Sequence, residues 1–265
     1  MTQNTLERLK RVPGLARSLI IYRRPGRQKS LRALYRQFVS SGDLVFDLGA
    51  HVGDRTVAFA ALGATVVAVE PNPDMMRWLG RLVRPKEHVV FLPEAVGSRP
   101  GKAELALSYR TPTVSSLASG WRQTLQTHAS GFRDVRWEQA ITVPVTTLDE
   151  MIGRYGVPDF CKIDVEGFEV EVLAGLTEPI PALSFEFVSG TLDQAALCLD
   201  ELKRLGDYEF NAIAGEERRF LWSNWQSADQ VRRWLADGSA GIASGDIYAR
   251  LITEHTRRSQ ARSFS

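Results

Sequence analysis

The chain has 265 residues, of which 44% are hydrophobic and 24% charged, and a formal net charge of +2. These values are ordinary for a soluble globular protein, and the length allows a full hydrophobic core. Two cysteines form no disulfide framework, and no apolar run approaches the ~20 residues of a transmembrane helix. Charges interrupt the opening residues where a signal peptide would be apolar, so we expect a cytoplasmic protein.

The first 40 residues differ in charge from the rest of the chain. They carry ten basic side chains and one acid, whereas the remaining 225 residues carry 23 basic and 30 acidic side chains. Such an arm can serve nucleic acid, peripheral contact with an anionic membrane or an acidic substrate. Its apolar residues recur at roughly helical spacing, however, which favours a helix packed on the rest of the chain. They are Leu6, Leu9, Leu15, Leu19, Leu31, Leu34 and Phe38.

From residue 44 onward, strand-like and helix-like segments alternate. Predicted strands cover LVFD (44–47), TVVAVE (65–70), HVVFL (88–92), ITVPV (141–145), DFCKID (159–164) and ALSFEF (182–187). Predicted helices cover DRTVAFAALG, PDMMRWLGRLV, TLDEMIGRY, FEVEVLAG and LDQAALCLDELKRLG, and residues 98–140 are polar and irregular. This alternation predicts an α/β protein with an open, mostly parallel sheet and helices on both faces. We place a basic helical arm at 1–40, the main domain at 41–250 and a polar tail at 251–265.

Asp47 and Glu70 fall at the carboxyl ends of two predicted strands, where sheets of this kind bind ligands. A dinucleotide site requires G-x-G-x-x-G, but the turn here has Gly49 and Gly53 without the middle glycine. The Asp47 carboxylate would also repel a pyrophosphate. S-adenosylmethionine carries an ammonium and a sulfonium and no phosphate, and Glu70 can accept hydrogen bonds from both of its ribose hydroxyls. The motif therefore favours S-adenosylmethionine over a nicotinamide cofactor, with a purely structural turn as the competing interpretation.

Lys162, Asp164 and Glu166 alternate in the segment KIDVEG, so in an extended strand they would share one face. A buried face does not tolerate three charges, so we expect the chain to leave the sheet near Asp164, with Gly167 permitting the turn into a helix. Methyl transfer needs a group that orients the acceptor and takes its proton. We predict that Asp164 and Glu166 do this and that Lys162 pairs with them or holds a carboxylate. The competing interpretation is a structural ion-pair cluster.

Five segments, in chain order, resemble the FkbM-type S-adenosylmethionine-dependent methyltransferases: FDLGAHVGDRT, VVAVEPNP, EAVGS, VTTLDEMI and DFCKIDVEGFEVEVLAGL. The resemblance covers roughly residues 40–190, and the later GDIYAR is similar to the end of such domains. It implies a class I methyltransferase (Rossmann-like) fold, whose seven-stranded, mostly parallel sheet has an antiparallel last strand. It also implies methyl transfer to a hydroxyl oxygen of a small molecule, such as a sugar, a polyketide or a lipid-linked acceptor.

The resemblance also implies a cofactor site. The glycine motif matches the surroundings of the methionine moiety, Glu70 the ribose-binding acid, and Glu94–Val96 the turn beside the adenine. His51 departs from the family's more usual asparagine, and it could contact the methionine moiety, face the acceptor or be a surface turn residue. The predicted cofactor-binding residues are Asp47, Gly49, Ala50, His51, Gly53, Thr56, Glu70, Pro71, Asn72, Glu94, Ala95, Val96 and Asp164.

Other functions and partners have weaker support in the sequence. Glu186, together with Asp164, could bind a divalent cation, but carboxylates alone are weak evidence and we predict no metal. Amino-methyltransferases that act on bases typically show an Asn/Asp-Pro-Pro-aromatic turn where KIDVEG stands, so nucleic acid is not expected as a partner. A nicotinamide-dependent oxidoreductase and a non-catalytic binding module with the same fold are the alternative functions.

Two further regions are assigned by position. Trp222, Trp225 and Trp234 are expected in the core rather than in the wall of a substrate pocket. Residues 98–140 and the region after residue 187 are expected to shape the acceptor pocket.

Overall fold

The computed structural model describes residues 26–84, 87–108, 115–118, 123 and 135–252. Within them, strands and helices alternate as the sequence predicts. The strands are β1 (Leu44–Leu48), β2 (Thr65–Val69), β3 (Val89–Leu92), β4 (Ala95–Val96), β5 (Gly101–Leu107), β6 (Gln139–Thr146), β7 (Phe160–Ile163), β8 (Ala182–Val188), β9 (Tyr208–Ala214), β10 (Gln226–Ser227) and β11 (Ser244–Leu251). The helices are α1 (Arg27–Tyr35), α2 (Asp54–Ala60), α3 (Pro73–Leu82), α4 (Leu148–Tyr155), α5 (Glu169–Ala174), α6 (Leu192–Leu205) and α7 (Ala228–Ala236).

The central sheet has its strands in the order β10-β9-β11-β8-β7-β1-β2-β3. The strands from β8 to β3 run parallel, whereas β11 runs antiparallel to both β8 and β9. This arrangement is the expected class I methyltransferase fold, with an antiparallel last strand. The predicted count of seven strands is one short, because β10 pairs with Phe210 and Glu209 at the edge of β9. Two residues are too few to show a strand periodicity in the sequence.

A second sheet has the order β4-β6-β5. The prediction of an irregular stretch over 98–140 is therefore wrong at its beginning, where β5 pairs antiparallel with β6. The predicted strand ITVPV lies within β6, but in this second sheet. Leu105, Leu107 and Val143 form the apolar cluster of this sheet. Because β5 and β6 are far apart along the chain, the local sequence shows only one side of their pairing.

The central strands are apolar because helices cover both faces of the sheet. On one face, Phe46 and Phe185 pack with residues of α5 and α6. On the other face, Val45 and Phe160 pack with residues of α1 and α2. Asp47 and Lys162 each lie two residues further along these strands, so they share the face that α1 and α2 cover.

Helix α1 belongs to the basic arm and is part of the core. Leu31, Leu34 and Tyr35 are buried, and the ring of Phe38 stacks on that of Tyr248 with centroids 5.4 Å apart. The predicted packing of the arm on the main domain is thus confirmed for these residues. Leu6, Leu9, Leu15 and Leu19 lie outside the described residues, and the domain boundaries at 40 and 250 stay predictions.

The three C-terminal tryptophans pack against core residues, as predicted. The rings of Trp222 and Trp234 meet edge to face at 5.2 Å, and Trp234 also contacts Phe187. Trp225 contacts Phe220 and joins the cluster beneath α1. The three rings therefore belong to the apolar packing around β9 and β11.

Candidate active site

A cleft of about 730 Å³, measured with its open mouth, lies at the carboxyl ends of β1, β2 and β7. It is the crevice that the strand pattern predicts. The predicted site residues that line it are Gly49, His51, Glu70, Pro71, Glu94, Ala95, Val96, Asp164 and Glu166. Leu105, Ser115 and Leu117 also line the cleft; they lie in the stretch 98–140 that was expected to shape the acceptor pocket, although the sequence singled out none of them. Leu105 lies in β5, and Ser116 forms an isolated bridge with Ala106 of β5, so the second sheet brings this stretch to the cleft.

Glu70 follows β2 and is fixed by two backbone donors. Its Oε2 accepts a hydrogen bond from the N–H of His51 at 2.9 Å, and its Oε1 accepts one from the N–H of Asn72 at 2.8 Å. Burial raises the pKa of Glu70 to about 7, although the two N–H donors act in the opposite direction. Each carboxylate oxygen has a second lone pair. The side chain is therefore held in place and can still accept hydrogen bonds from a ligand.

The two glycines of the turn are required by close packing within the protein. Gly49 has a φ of +76°, and a Cβ atom there would lie 1.7 Å from the carbonyl oxygen of Asp164. Gly53 has a φ of +90°, and a Cβ atom there would lie 2.6 Å from Val83 and 2.7 Å from Leu79. Gly49 thus lets the turn after β1 lie directly against the segment after β7, and Gly53 lets α2 begin close to the end of α3.

A second cavity, of about 270 Å³, lies on the α1 side of this turn. It shares Gly49, His51 and Asp164 with the cleft, so the two cavities adjoin at these residues. Asp47 lines it and is 1% exposed. Its Oδ2 accepts a hydrogen bond from the Thr56 hydroxyl at 2.5 Å, whereas its Oδ1 has no hydrogen-bond partner among the described residues. Burial raises the pKa of Asp47 above its usual value.

Charged residues from three segments surround the second cavity. Arg55 lines it, and its guanidinium pairs with Asp54 at 3.1 Å and with Glu216 at 3.3 Å. Arg27, at the start of α1, pairs with the same two carboxylates at 2.7 and 3.1 Å. The sequence analysis did not single out these residues, because Glu216 is 161 positions from Arg55 and no motif links them.

Three predicted cofactor-binding residues line neither cavity in the described part of the chain: Gly53, Thr56 and Asn72. Thr56 holds Asp47, as described above. The Asn72 side chain accepts a hydrogen bond from the N–H of Asp74 at 3.0 Å, which confirms it as the N-cap of α3. These three residues therefore lie next to residues of the site without lining a cavity themselves.

Lys162 and Asp164 form an ion pair at the end of β7. Lys162 has a side chain that is 3% exposed, and its Nζ lies 2.5 Å from Oδ2 of Asp164. Burial by itself would raise the pKa of Asp164, but the Lys162 ammonium brings it below its usual value. Burial would likewise lower the pKa of Lys162, but Asp164 raises it. The predicted pairing is confirmed, and both groups are charged at neutral pH.

The chain leaves the sheet after Ile163, as the charge pattern of KIDVEG predicts. Glu166 adopts a left-handed conformation with a φ of +55°, and Gly167 follows with a φ of +88°. Burial and the neighbouring acids Asp164 and Glu169 raise the pKa of Glu166 well above its usual value. Glu166 therefore has a much higher proton affinity than Asp164, although the two are only two residues apart.

Glu186 on β8 brings a third carboxylate to this position. Oxygen atoms of Asp164, Glu166 and Glu186 all lie within 4.8 Å of one another, close enough to ligate one divalent cation. The neighbouring acids and burial raise the pKa of Glu186. The repulsion among these carboxylates can therefore be relieved either by a bound divalent cation or by protonation.

His51 lies between the two cavities and lines both of them. Its φ is +50°, a conformation that turns its backbone N–H toward Glu70. Both ring nitrogens are shielded from solvent although the residue as a whole is only partly buried, which argues against a surface turn residue. Burial lowers the pKa of the imidazole to about 4, and the ring is therefore neutral at physiological pH.

A family model described as "Methyltransferase FkbM domain" matches residues 47–237, which include every residue of the cleft and of the second cavity. The chain belongs to the FkbM methyltransferase family. The matched residues include both the glycine turn and the KIDVEG segment.

One relative is the "Hexuronic acid methyltransferase AglP" of Haloferax volcanii, which is 27% identical over 166 residues. The aligned part spans 62% of this chain and 62% of that relative, which is less than two thirds of its length.

Two similar solved structures are methyltransferases. One is a precorrin-6y C5,15-methyltransferase from Geobacter metallireducens, with a TM-score of 0.44 and 11% identity; the match covers 85% of this chain and 87% of that one. The other is a TehB-like SAM-dependent methyltransferase from Corynebacterium glutamicum, with a TM-score of 0.43 and 11% identity; the match covers 84% of this chain and 88% of that one. At these TM-scores neither structure bears on the activity of this chain. Among the described residues, the longest apolar helices fall short of what is needed to span a bilayer.

Proposed function

We propose that this chain binds S-adenosylmethionine and directs its methyl group to a hydroxyl oxygen of a small molecule, for which a sugar is the favoured class. The observation that carries the proposal is the Glu70 carboxylate, fixed by the N–H groups of His51 and Asn72 inside the cleft. A fixed anionic acceptor at the end of β2 suits the two neighbouring hydroxyls of a ribose. Glu94, Ala95 and Val96 line the same cleft and suit the adjoining adenine.

The second cavity suits the amino-acid end of the same cofactor. Asp47 presents a buried carboxylate oxygen without a partner among the described residues, which suits an ammonium group. Arg55 lines the same cavity and suits a carboxylate, because a guanidinium donates several hydrogen bonds in a fixed geometry. A zwitterion therefore complements the two walls, whereas a pyrophosphate would face the Asp47 carboxylate.

When bound, S-adenosylmethionine supplies a methyl group on a positively charged sulfur. We propose that Glu166, in its ionised form, would take the proton of the acceptor hydroxyl; the hydroxyl oxygen would bond to the methyl carbon as the methyl–sulfur bond breaks and its electron pair stays on sulfur. A base with high proton affinity is effective in this step, and the pKa of Glu166 is raised. Asp164, held by Lys162, accepts a hydrogen bond from the acceptor and orients it. This division of roles follows from the two opposite pKa shifts.

The acceptor class rests on the relative from Haloferax volcanii, whose name states a hexuronic acid as its substrate. A sugar hydroxyl fits the general requirement of the Glu166 and Asp164 pair, which needs an O–H group. We therefore propose a sugar, and among sugars an acidic one, as the first acceptor to test.

The test has two stages on the full-length chain. Isothermal titration calorimetry compares S-adenosylmethionine with NAD, and Glu70→Ala serves as the matched control for the cleft. Methyl-labelled S-adenosylmethionine is then incubated with glucuronic acid, neutral sugars and glycans that contain them. Binding of S-adenosylmethionine with label on a sugar oxygen supports the proposal. Preferential binding of NAD would favour an oxidoreductase, and cofactor binding without label on any acceptor would favour a non-catalytic module.

A further inference from the structure

Glu169 is the first residue of α5, and its carboxylate turns back toward the segment that precedes the helix. It is 6% exposed. Its Oε1 accepts hydrogen bonds from the N–H of Val165 at 3.1 Å and from the N–H of Gly167 at 3.2 Å. One carboxylate oxygen therefore joins the residues on either side of Glu166.

The residue between these two bonds is held in a conformation that is unfavourable for it. Glu166 has a φ of +55°, a region that residues other than glycine, asparagine and aspartate seldom occupy. Such a conformation persists only where surrounding contacts fix it. A second contact fixes the same backbone, because the Ser116 hydroxyl donates a hydrogen bond to the carbonyl oxygen of Glu166 at 2.6 Å. The backbone of Glu166 is thus held from two sides by groups that are far apart in the sequence.

We propose that Glu169 is a positioning residue for Glu166: by holding both neighbouring N–H groups it keeps the Glu166 carboxylate in the cleft, facing the acceptor. The inference rests on the proposed function, because it assigns Glu169 an effect on catalysis through Glu166. Glu169 lies in the family segment DFCKIDVEGFEVEVLAGL, but the sequence by itself gives it no role.

A simpler role for Glu169 is electrostatic, since acidic residues near a helix N-terminus offset the partial positive charge of the helix. The two roles make different demands on the side chain. The electrostatic role needs only a negative charge at this position, and aspartate supplies it as well as glutamate does. The positioning role needs an acceptor oxygen at the full length of the glutamate side chain, and it does not need the charge.

Two substitutions therefore separate the roles. Glu169→Asp keeps the charge but shortens the side chain by one methylene, so its oxygen cannot reach both N–H groups. Glu169→Gln removes the charge but retains an acceptor oxygen at the same reach. We expect Glu169→Asp to lower the single-turnover rate about tenfold or more, because small displacements of reacting groups have effects of this size. We expect Glu169→Gln to remain within about threefold of wild type at a pH above the pKa of Glu166, and to lower that pKa, because the Glu169 charge helps to raise it.

Three further measurements make the result specific. Affinity for S-adenosylmethionine should be nearly unchanged in both variants, and amide hydrogen exchange at residues 165–167 should be faster in Glu169→Asp alone. In a Glu166→Gln background, adding Glu169→Asp should produce little further loss of rate, because the group that it positions is already gone.

The inference is overturned if Glu169→Asp keeps full turnover while Glu169→Gln loses it, or if the losses from Glu166→Gln and Glu169→Asp multiply. It is also overturned if Glu169→Asp lowers only the melting temperature. Failure of the proposed function looks different: wild-type protein would then transfer no label to any acceptor, or Glu166→Gln would keep full turnover. If Glu169→Asp is unfolded, exchange at residues 165–167 in the folded Glu169→Gln protein decides, and faster exchange there contradicts positioning by the acceptor oxygen.

Discussion

Replacing Asp164 by asparagine tests both roles of this residue, its pairing with Lys162 and its contact with the acceptor. The Lys162 side chain is 3% exposed and its Nζ lies 2.5 Å from the Asp164 carboxylate. Removing one partner of a buried ion pair costs about 3–5 kcal/mol when the remaining charge is uncompensated. Asp164 is itself 30% exposed, and Asp47 and Asp246 also act on Lys162. We therefore expect a smaller loss, of about 1–3 kcal/mol in the free energy of unfolding.

The assay combines stability and kinetics on the same protein. The melting temperature should fall by roughly 2–4 °C for each kcal/mol lost. The single-turnover rate should fall about 10- to 100-fold, because a charge-assisted hydrogen bond to the acceptor is worth about 1.5–3 kcal/mol. Affinity for S-adenosylmethionine should change much less, since the groups that we propose hold the cofactor, Glu70, Asp47 and Arg55, are unchanged.

A double variant provides the matched control. Lys162→Met together with Asp164→Asn removes both charges, so most of the stability lost in Asp164→Asn should return while the rate stays low. A stable Asp164→Asn protein with full turnover would refute the catalytic role. A double variant that is less stable than Asp164→Asn alone would refute the explanation through the buried Lys162 charge.

Five other tests, which use variants or a change of pH, concern the rest of the site and the basic arm. Glu166→Gln should lower the single-turnover rate by about 100-fold or more. The wild-type rate should rise with pH through a pKa above the usual value of glutamate. A wild-type rate that is independent of pH would exclude Glu166 as the base. Affinity for S-adenosylmethionine, measured by calorimetry, should weaken as the pH falls through about 7, where Glu70 takes up a proton. Glu70→Ala should weaken it tenfold or more, because hydrogen bonds to charged groups are worth about 1.5–3 kcal/mol each; unchanged affinity would place the ribose elsewhere. Gly49→Ala should lower both the melting temperature and cofactor affinity, since the new Cβ would lie 1.7 Å from the Asp164 carbonyl oxygen, and a variant with wild-type values for both would contradict the close approach. Deletion of residues 1–38 should lower the melting temperature because Leu31, Leu34 and Tyr35 are buried, and an unchanged melting temperature would contradict this packing. If deletion of residues 1–25 changes salt-dependent binding to anionic vesicles, the basic arm has a docking role as well.

The sequence by itself determined the parallel strands of the central sheet and many of the residues that line the cleft. Apolar strands such as TVVAV, separated by amphipathic helices, carry their periodicity within a few residues, so β1, β2, β7 and β8 can be located without a structure. Asp47, Glu70 and Asp164 are each adjacent to such a strand. Because parallel strands end at one edge of the sheet, their convergence follows from local pattern alone. The exit of KIDVEG from the sheet also followed, since three alternating charges cannot share a buried face.

The tertiary structure decided which groups meet when they come from distant parts of the chain. β5 pairs with β6, and Arg27 and Arg55 converge on Glu216, without any motif that links them. The opposite pKa shifts of Asp164 and Glu166 also depend on such contacts, because the same carboxyl group gains or loses proton affinity according to the charges and burial around it. Periodicity reports on neighbours along the chain, whereas proton affinity and ion pairing report on neighbours in space. For this reason the sequence placed the acids at the edge of the sheet, and only the packed fold distinguished the carboxyl group with a lowered pKa, Asp164, from the one with a raised pKa, Glu166.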